Sequence, residues 1–280
     1  MLFPIVLSRK GWIALFEAFF EMSQTPFARN IPPEYLYPSI MLEEAVGRLE
    51  YAASRQLFAV LTGSSGSGKT TTIRKFTGLL DPNKYQVMYL ADSKLTPRNF
   101  YKGLLEQLGC EAKFYRGDSK RQLHREIELM KGIHHMEAVV VIDEAHLLDK
   151  EMLEEVRFLL NFKMDAQSPM SLILVGQTEL WDRLQLQSYA AIRQRIDIQY
   201  KFSQMDLSQV KAYITCHLDY SGQRRELFTD AAIEEISKYS GGVARIINKL
   251  CTQCLIYGSQ QNKRLIDDHM VKLVIQSELT

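Results

Sequence analysis

Cysteine is scarce in this chain, at four residues in 280, and that excludes a disulfide scaffold. Thiols at this density fit a reducing compartment, so a cytoplasmic location is expected. Excess charge is missing as well: 34 Lys and Arg stand against 33 Asp and Glu, a formal net charge of +1. With no global positive field, nucleic-acid binding has to come from a local patch. Long apolar runs are also absent. The most apolar terminal stretch, 1–20, is broken at Ser8, Arg9, Lys10 and Gly11, and neither half approaches the ~20 apolar residues of a spanning helix. No membrane insertion is expected. The basic pair follows the first apolar run and no clean small-residue cleavage site comes after it, which makes a poor signal peptide. No internal repeat or low-complexity tract is visible. What is present is ordinary globular material, 46% hydrophobic and 24% charged, which rules out disorder, collagen-like repeats and a rod.

Three regions follow one another. Residues 1–45 hold five of the eight prolines, Pro4, Pro26, Pro32, Pro33 and Pro38, and read as a lead-in wrapped over something larger. Residues 46–202 alternate short apolar runs with amphipathic ones. The runs Phe58–Thr62, Gln86–Leu90, Ala138–Ile142, Ser171–Val175 and Ile196–Tyr200 predict strands. Those at 58, 138 and 171 are almost continuously apolar, as strands covered on both faces of a parallel sheet are. Between them, Met152, Val156, Leu159 and Leu160 share a helical face, and Thr96-Pro97 predicts a helix start. Such alternation predicts an α/β fold, a parallel five-stranded αβα sandwich with right-handed crossovers. From 203 the strand signal stops. A capping box at Asp206–Gln209, a cap at Thr229-Asp230, the pair Gly241-Gly242 and the run 265–277 predict four helices, a small all-helical domain over 203–280.

The strongest chemical signal is Gly63-Ser64-Ser65-Gly66-Ser67-Gly68-Lys69-Thr70, directly after a strand and directly before a helical run that continues through Thr71. That spacing and context form a phosphate loop. Glycines turn backbone N–H groups inward around phosphates, and the helix N-terminus adds partial positive charge. Lys69 would bridge the outer phosphates of ATP and the Thr70 hydroxyl would hold Mg²⁺. The second signal is an apolar strand ending in Asp143-Glu144. Asp143 suits the metal's outer shell, and Glu144 suits polarising the attacking water. The third is Gln177 at the end of the next strand, placed to contact the γ-phosphate or that water; Gly176 and Thr178 also fit a turn and a helix cap there. Arg193 and Arg195 precede the last strand and Arg245 lies in the helical region. A guanidinium stabilises the charge that a breaking triphosphate develops, and one reaching in from a neighbouring subunit makes hydrolysis depend on assembly. Either Arg195 or Arg193 fits that role.

This set resembles the AAA+ ATPases, and more narrowly their ExeA-type branch. The narrower likeness rests on Thr25-Pro26-Phe27, Leu36-Tyr37-Pro38, Leu61–Ser64, Val141–Ala145, Leu174–Gln177, Arg193-Gln194-Arg195 and Gly241–Asn248. It covers residues from about 15 onward. The resemblance implies a helical lid after the sandwich, nucleotide at their junction, Arg245 as a second nucleotide sensor, and Phe27, Tyr35 or Tyr37 as the adenine wall. One setting of the branch is a secretion ATPase joined to a membrane span and a wall-binding domain. The other is a stand-alone ATPase similar in layout to the transposition regulators MuB, TnsC and IstB, which assemble on DNA with ATP and assist a transposase. A chain of this length fits the second setting better. The resemblance thus implies a homo-oligomer, ring or filament, with DNA and a transposase as partners. Chains of this kind begin near Leu15–Met22, so residues 1–14 read either as an upstream extension or as a start codon called too early.

One local feature supports DNA. Residues 113–125 carry Lys113, Arg116, Lys120, Arg121 and Arg125 against the single acid Asp118, with Tyr115 and His124 interleaved. Phosphate binding needs such a concentration, and a solvated helix face has the same look. No DNA-reading signature accompanies it, so binding would be sequence-tolerant. Cys251 and Cys254 read as packing rather than a zinc site; His146, two residues after Glu144, reads either as close enough to feel the nucleotide or as a capping or packing residue.

Overall fold

The computed structural model describes residues 16–92, 95–160 and 168–278. The expected extension at 1–14 lies outside the described residues. Five strands form one sheet: β1 (Phe58–Thr62), β2 (Tyr85–Leu90), β3 (Glu137–Ile142), β4 (Ser171–Gly176) and β5 (Ile198–Lys201). Their order is β2-β3-β4-β1-β5 and every neighbouring pair is parallel. All of β1 and β4 is buried, and β3 is buried beyond its first residue.

Each strand feeds two cores by simple alternation. Val60, Val140, Ile142, Leu172 and Leu174 face one layer of helices. That layer includes α3 (Pro97–Gln107), α4 (Arg116–Ile133), α5 (Lys150–Leu159) and α6 (Thr178–Gln185). The intervening Ala59, Leu61, Val139, Val141, Ile173 and Val175 face the other layer, built on α1 (Ile40–Arg55) and α2 (Lys69–Leu79). The predicted α/β sandwich is what the chain adopts. The α3 start is the one expected, with Thr96 Oγ1 accepting from the Asn99 N–H at 3.3 Å and Pro97 in the first turn. The last strand starts two residues later than its apolar pattern predicts. Asp197 takes the strand's place there: its N–H donates to Phe58 O at 2.9 Å and its carboxylate accepts the Phe58 N–H at 2.8 Å. A short helix, α7 (Ala190–Arg193), precedes it.

The chain divides into two compact units. Ile40–Ser203 is the sheet unit, and the residues up to Ser39 join those from Gln204 onward in the other. The proline-rich lead-in therefore parts at residue 40. Its later portion is α1, with Ala45, Val46, Leu49 and Ala52 buried in the sheet unit. Its earlier portion puts Phe16, Phe20 and Phe27 into a core shared with Val210, Ile214, Ile247 and Leu250. The second unit's helices, among the described residues, include α8 (Leu207–Tyr220), α9 (Asp230–Ser240), α10 (Ala244–Gln260) and α11 (Asp268–Glu278). Asp206 and Gln209 form the reciprocal capping box at the start of α8, and Thr229 Oγ1 caps α9 by accepting from the Ala232 N–H. The lead-in is stitched on by the Ser23 N–H, which donates to Ser221 O at 2.8 Å.

Candidate nucleotide site

The site forms at one end of the sheet. The segment Gly63–Gly68 leaves β1 and enters α2 at Lys69. Gly68 holds φ +101°, which L side chains rarely adopt, and its orientation starts the helix without a side-chain cap. A Cβ on Gly63 would meet Phe202 Cβ at 2.8 Å and Ser67 Oγ at 2.9 Å. Position 63 is thus too close to its surroundings for a side chain. Lys69 is buried, and its ammonium donates to the carbonyls of Gly63 and Ser64, both at 2.9 Å. Ser67 Oγ is buried without a hydrogen-bond partner among the described residues. A buried ammonium on carbonyls and an orphaned hydroxyl, beside a helix N-terminus, suit an anion. Charge-assisted bonds to phosphate are about twice as strong as neutral ones.

The acids reach the same end from β3, and the sheet order sets β4 between them and the loop. Asp143 is buried. Its Oδ2 accepts from Thr70 Oγ1 at 3.1 Å and from the Tyr89 hydroxyl at 2.7 Å, while Oδ1 accepts the Glu144 N–H at 2.8 Å. Burial and the bond to Asp143 push the Tyr89 hydroxyl well above the usual tyrosine range, so it stays a donor. Glu144 sits at φ +52°, a left-handed position costing about 1–2 kcal/mol outside glycine, with its side chain half exposed. This hydroxyl–carboxylate pair fits a hard cation, and the adjacent exposed carboxylate fits a base. From β4, Gln177 Nε2 lies 3.0 Å from His146 Nε2, and His146 Nδ1 lies 3.5 Å from Glu144 Oε2. The structure therefore brings together Lys69, Thr70, Asp143, Glu144 and Gln177.

One participant escaped the sequence reading. Tyr89 stands in β2 opposite Val141 of β3, and its alternation marked only a strand. The pairing of β2 with β3 is what delivers it to Asp143. His146, read either as near the nucleotide or as a capping or packing residue, stands between Gln177 and Glu144.

Residues 52–184 match the AAA domain family. General secretion pathway protein A of Aeromonas hydrophila is 30% identical over 250 residues, which are 86% of this chain and 44% of that protein. The chain thus spans less than half the length of that relative. Among solved structures, Drosophila ORC bound to DNA matches all of this chain and 70% of its own, at TM-score 0.66 and 16% identity. The Aeropyrum pernix ORC1 protein in complex with DNA covers 89% of this chain and 68% of its own, at TM-score 0.65 and 13% identity. The chain has the AAA+ fold, and its segment 52–184 is similar to AAA domains.

Beyond the matched segment, the two arginines before β5 differ. Arg193 Nη1 donates to the carbonyls of Leu184 at 2.9 Å and Gln185 at 2.6 Å, closing the C-terminus of α6. It is a helix cap in its own subunit. Arg195 is half-buried two residues on. Arg245 opens α10 in the other unit. There too, Tyr37 meets Tyr213 edge-on at 5.9 Å, Tyr35 meets Tyr220 at 5.1 Å, and Phe27 stacks on His217 at 5.3 Å.

The basic stretch falls on α4 and the loop before it. Arg116 pairs with Glu151 at 2.8 Å and with Glu155 at 3.1 Å, Lys120 pairs with Glu155 at 3.1 Å, and Arg121 pairs with Asp118. Glu155 is buried and also accepts from the Tyr101 hydroxyl. Burial alone would raise its pKa. The bonds from Tyr101 and Lys120 and the charges of Lys120 and Arg116 outweigh that and hold it low. These ion pairs join α4 to α5, and the Tyr101 hydroxyl adds α3, so the charge density read along the chain is partly cancelled in space. Lys113 and Arg125 are exposed without carboxylate partners among the described residues. Cys251 and Cys254 are buried in the second unit's core, and no metal-binding cluster occurs among the described residues.

Proposed function

We propose that this chain is a Mg²⁺-dependent ATPase whose nucleotide state governs its assembly on DNA, and that it assists a transposase from the cytoplasm. The observation that carries the ATPase reading is the Thr70 Oγ1 to Asp143 Oδ2 hydrogen bond at 3.1 Å, made beside the phosphate loop with Glu144 next in sequence. The backbone from Gly63 to Gly68 with Lys69, Thr70 and Thr71 would bind the phosphates, and Thr70 and Asp143 would hold the metal. Mg²⁺ bound there would neutralise phosphate charge. Glu144 orients and deprotonates water, Gln177 faces the terminal phosphate, and Arg195 reaches into a neighbour's site, because Arg193 is committed to capping α6. Arg245 as second sensor and Tyr37 near the adenine enter from the resemblance alone.

The DNA part is supported by a fold shared with two proteins solved on DNA, and the transposase part rests on the ExeA-type resemblance alone. A second reading, a secretion-associated ATPase acting with envelope partners, is favoured by the 30% identity to General secretion pathway protein A. No helix among the described residues is long and apolar enough to cross a membrane.

Fluorescence anisotropy of labelled duplex DNA, with and without ATP and with Lys69→Ala and Glu144→Gln, tests the proposal. Binding should require ATP, tolerate any sequence and fall steeply with salt. Lys69→Ala should bind neither ATP nor DNA. Glu144→Gln should bind both while turnover drops ~10²-fold or more. ATP hydrolysis with no DNA binding in any state would retire the DNA reading and favour the secretion one. Wild-type turnover in Glu144→Gln would retire the assignment of the base.

A further inference from the structure

The sheet unit places a histidine between the two side chains that must act together in hydrolysis. His146 lies on the turn after Glu144, with its ring largely buried. A Cβ on Gly176 would come within 3.1 Å of the His146 N–H. Glycine at the end of β4 therefore lets the turn after β3 lie against β4, which brings the ring within reach of Gln177. The Gln177 amide stands 3.0 Å from His146 Nε2. On the other side of the ring, Nδ1 faces Glu144 Oε2 at 3.5 Å and is buried without a hydrogen-bond partner among the described residues.

The chemistry of the ring fixes the direction of this chain. A neutral imidazole donates from one nitrogen and accepts at the other. With the Gln177 Nε2–H₂ group donating to His146 Nε2, the proton sits on Nδ1 and points at the Glu144 carboxylate. A buried N–H left unpaired is costly, and a shift of Glu144 by a few tenths of an ångström would satisfy it. The carboxylate is half exposed and sits on a left-handed residue, so it is free to make that shift. A terminal phosphate beside Gln177 would compete for its amide, because a bond to an anion is stronger than one to an imidazole. Loss of that donor frees Nε2 to take the proton from Nδ1, and the ring then no longer holds Glu144.

We propose that His146 is a positioning residue: it ties the Glu144 carboxylate to Gln177 while the site lacks a terminal phosphate, and it releases that carboxylate when Gln177 turns to the phosphate. This rests on the ATPase reading above. It adds a residue that reports γ-phosphate occupancy to the base.

The test combines nucleotide binding with a measurement on the nucleotide-free protein. Imidazole ¹⁵N spectra of the full chain, assigned among its six histidines by comparison with His146→Asn, should show a bare Nε2 and a protonated Nδ1. Gln177→Ala should turn this signal into a mixture of tautomers. Because the tie competes with the terminal phosphate for the Gln177 amide, folded His146→Phe should bind a slowly hydrolysed ATP analogue about threefold more tightly relative to ADP than the wild type does. The same change made on top of Gln177→Ala should add nothing, since no amide is left to compete for. Thermal unfolding separates a folding defect from a positioning one. Three results overturn the proposal: an ¹⁵N signal that ignores Gln177→Ala, an ATP-over-ADP preference unchanged in folded His146→Phe, or a gain from His146→Phe that persists in the Gln177→Ala background. Any of these with Glu144→Gln inactive leaves the ATPase reading standing. Glu144→Gln at wild-type turnover sinks that reading instead.

Discussion

The Tyr89 hydroxyl and the Asp143 carboxylate meet at 2.7 Å, on the same oxygen that accepts from Thr70. Two donors thus converge on Oδ2 and fix the carboxylate's rotation before any cation arrives. A ligand carboxylate oriented by outer hydrogen bonds binds metal better than a free one, and losing such a partner commonly costs 10- to 100-fold in metal affinity or activity. Tyr89→Phe should therefore raise the Mg²⁺ concentration for half-maximal ATPase several-fold while leaving Mg²⁺-free nucleotide binding intact. A Mg²⁺ titration of turnover, run beside nucleotide binding in a chelator, reads this. An unchanged Mg²⁺ midpoint would make Tyr89 a packing residue.

Tyr89 also shows where sequence reading stops. The phosphate loop, the acids after β3 and Gln177 after β4 were legible because each sits at the end of its own strand, a local pattern. The sandwich was legible for the same reason: the runs at 58, 138 and 171 are continuously apolar, and those strands are buried almost throughout. Tyr89 and His146 act across chain segments, through β2–β3 pairing and through the approach of a turn to β4, and no spacing encodes either. The basic stretch shows the opposite limit. Its charges are real in sequence, but Glu151 and Glu155 come from α5 and are invisible in a window over 113–125. The lead-in misled because proline content marks irregular chain and not which unit it joins.

His217 makes the second unit sensitive to acid. It is buried between Phe27, stacked at 5.3 Å, and Tyr213 at 4.2 Å, and neither ring nitrogen has a hydrogen-bond partner among the described residues. Burial disfavours the charged ring and lowers its pKa to about 4. Between the unfolded value near 6.5 and 4, the unfolded chain binds a proton that the folded one refuses. Stability is therefore full above about 6.5 and declines as pH falls, by roughly 3 kcal/mol in total at one proton. Urea melts from pH 7 to 4 should show this decline, and His217→Phe should flatten it. An equal slope in both proteins would place the acid sensitivity elsewhere.

The two glycines before α10 should respond very differently to the same change. Both have positive φ, +56° at Gly241 and +75° at Gly242. A Cβ on Gly241 meets nothing within 4 Å, whereas one on Gly242 would lie 2.0 Å from Met205 O and 2.7 Å from Met205 N. The first substitution meets only the left-handed backbone penalty, about 1–2 kcal/mol. The second must also push apart two backbone segments, one of them held by the Met205 N–H donating to Gly242 O at 3.1 Å. Gly241→Ala should lose about 1 kcal/mol and Gly242→Ala at least ~3 kcal/mol in chemical denaturation. Similar losses would mean that the Met205 segment yields freely.

Charge reversals on the basic stretch should separate by whether the residue is already paired. Arg116 and Lys120 share the buried Glu155, and removing one partner of a buried ion pair costs about 3–5 kcal/mol, less here because both cations are partly exposed. Lys120→Glu should therefore lower the melting temperature, and any DNA defect it shows would be confounded by that loss. Lys113→Glu and Arg125→Glu alter exposed, uncommitted cations and should leave folding and basal ATPase unchanged. If this face meets DNA, each weakens ATP-dependent binding and makes the salt slope shallower by about 1 for every phosphate left without its cation. Anisotropy across a salt series reads both quantities. An unchanged slope in the double reversal Lys113→Glu, Arg125→Glu, with folding intact, would move the DNA surface off α4 altogether, leaving Arg116 and Lys120 as the ties between α4 and α5.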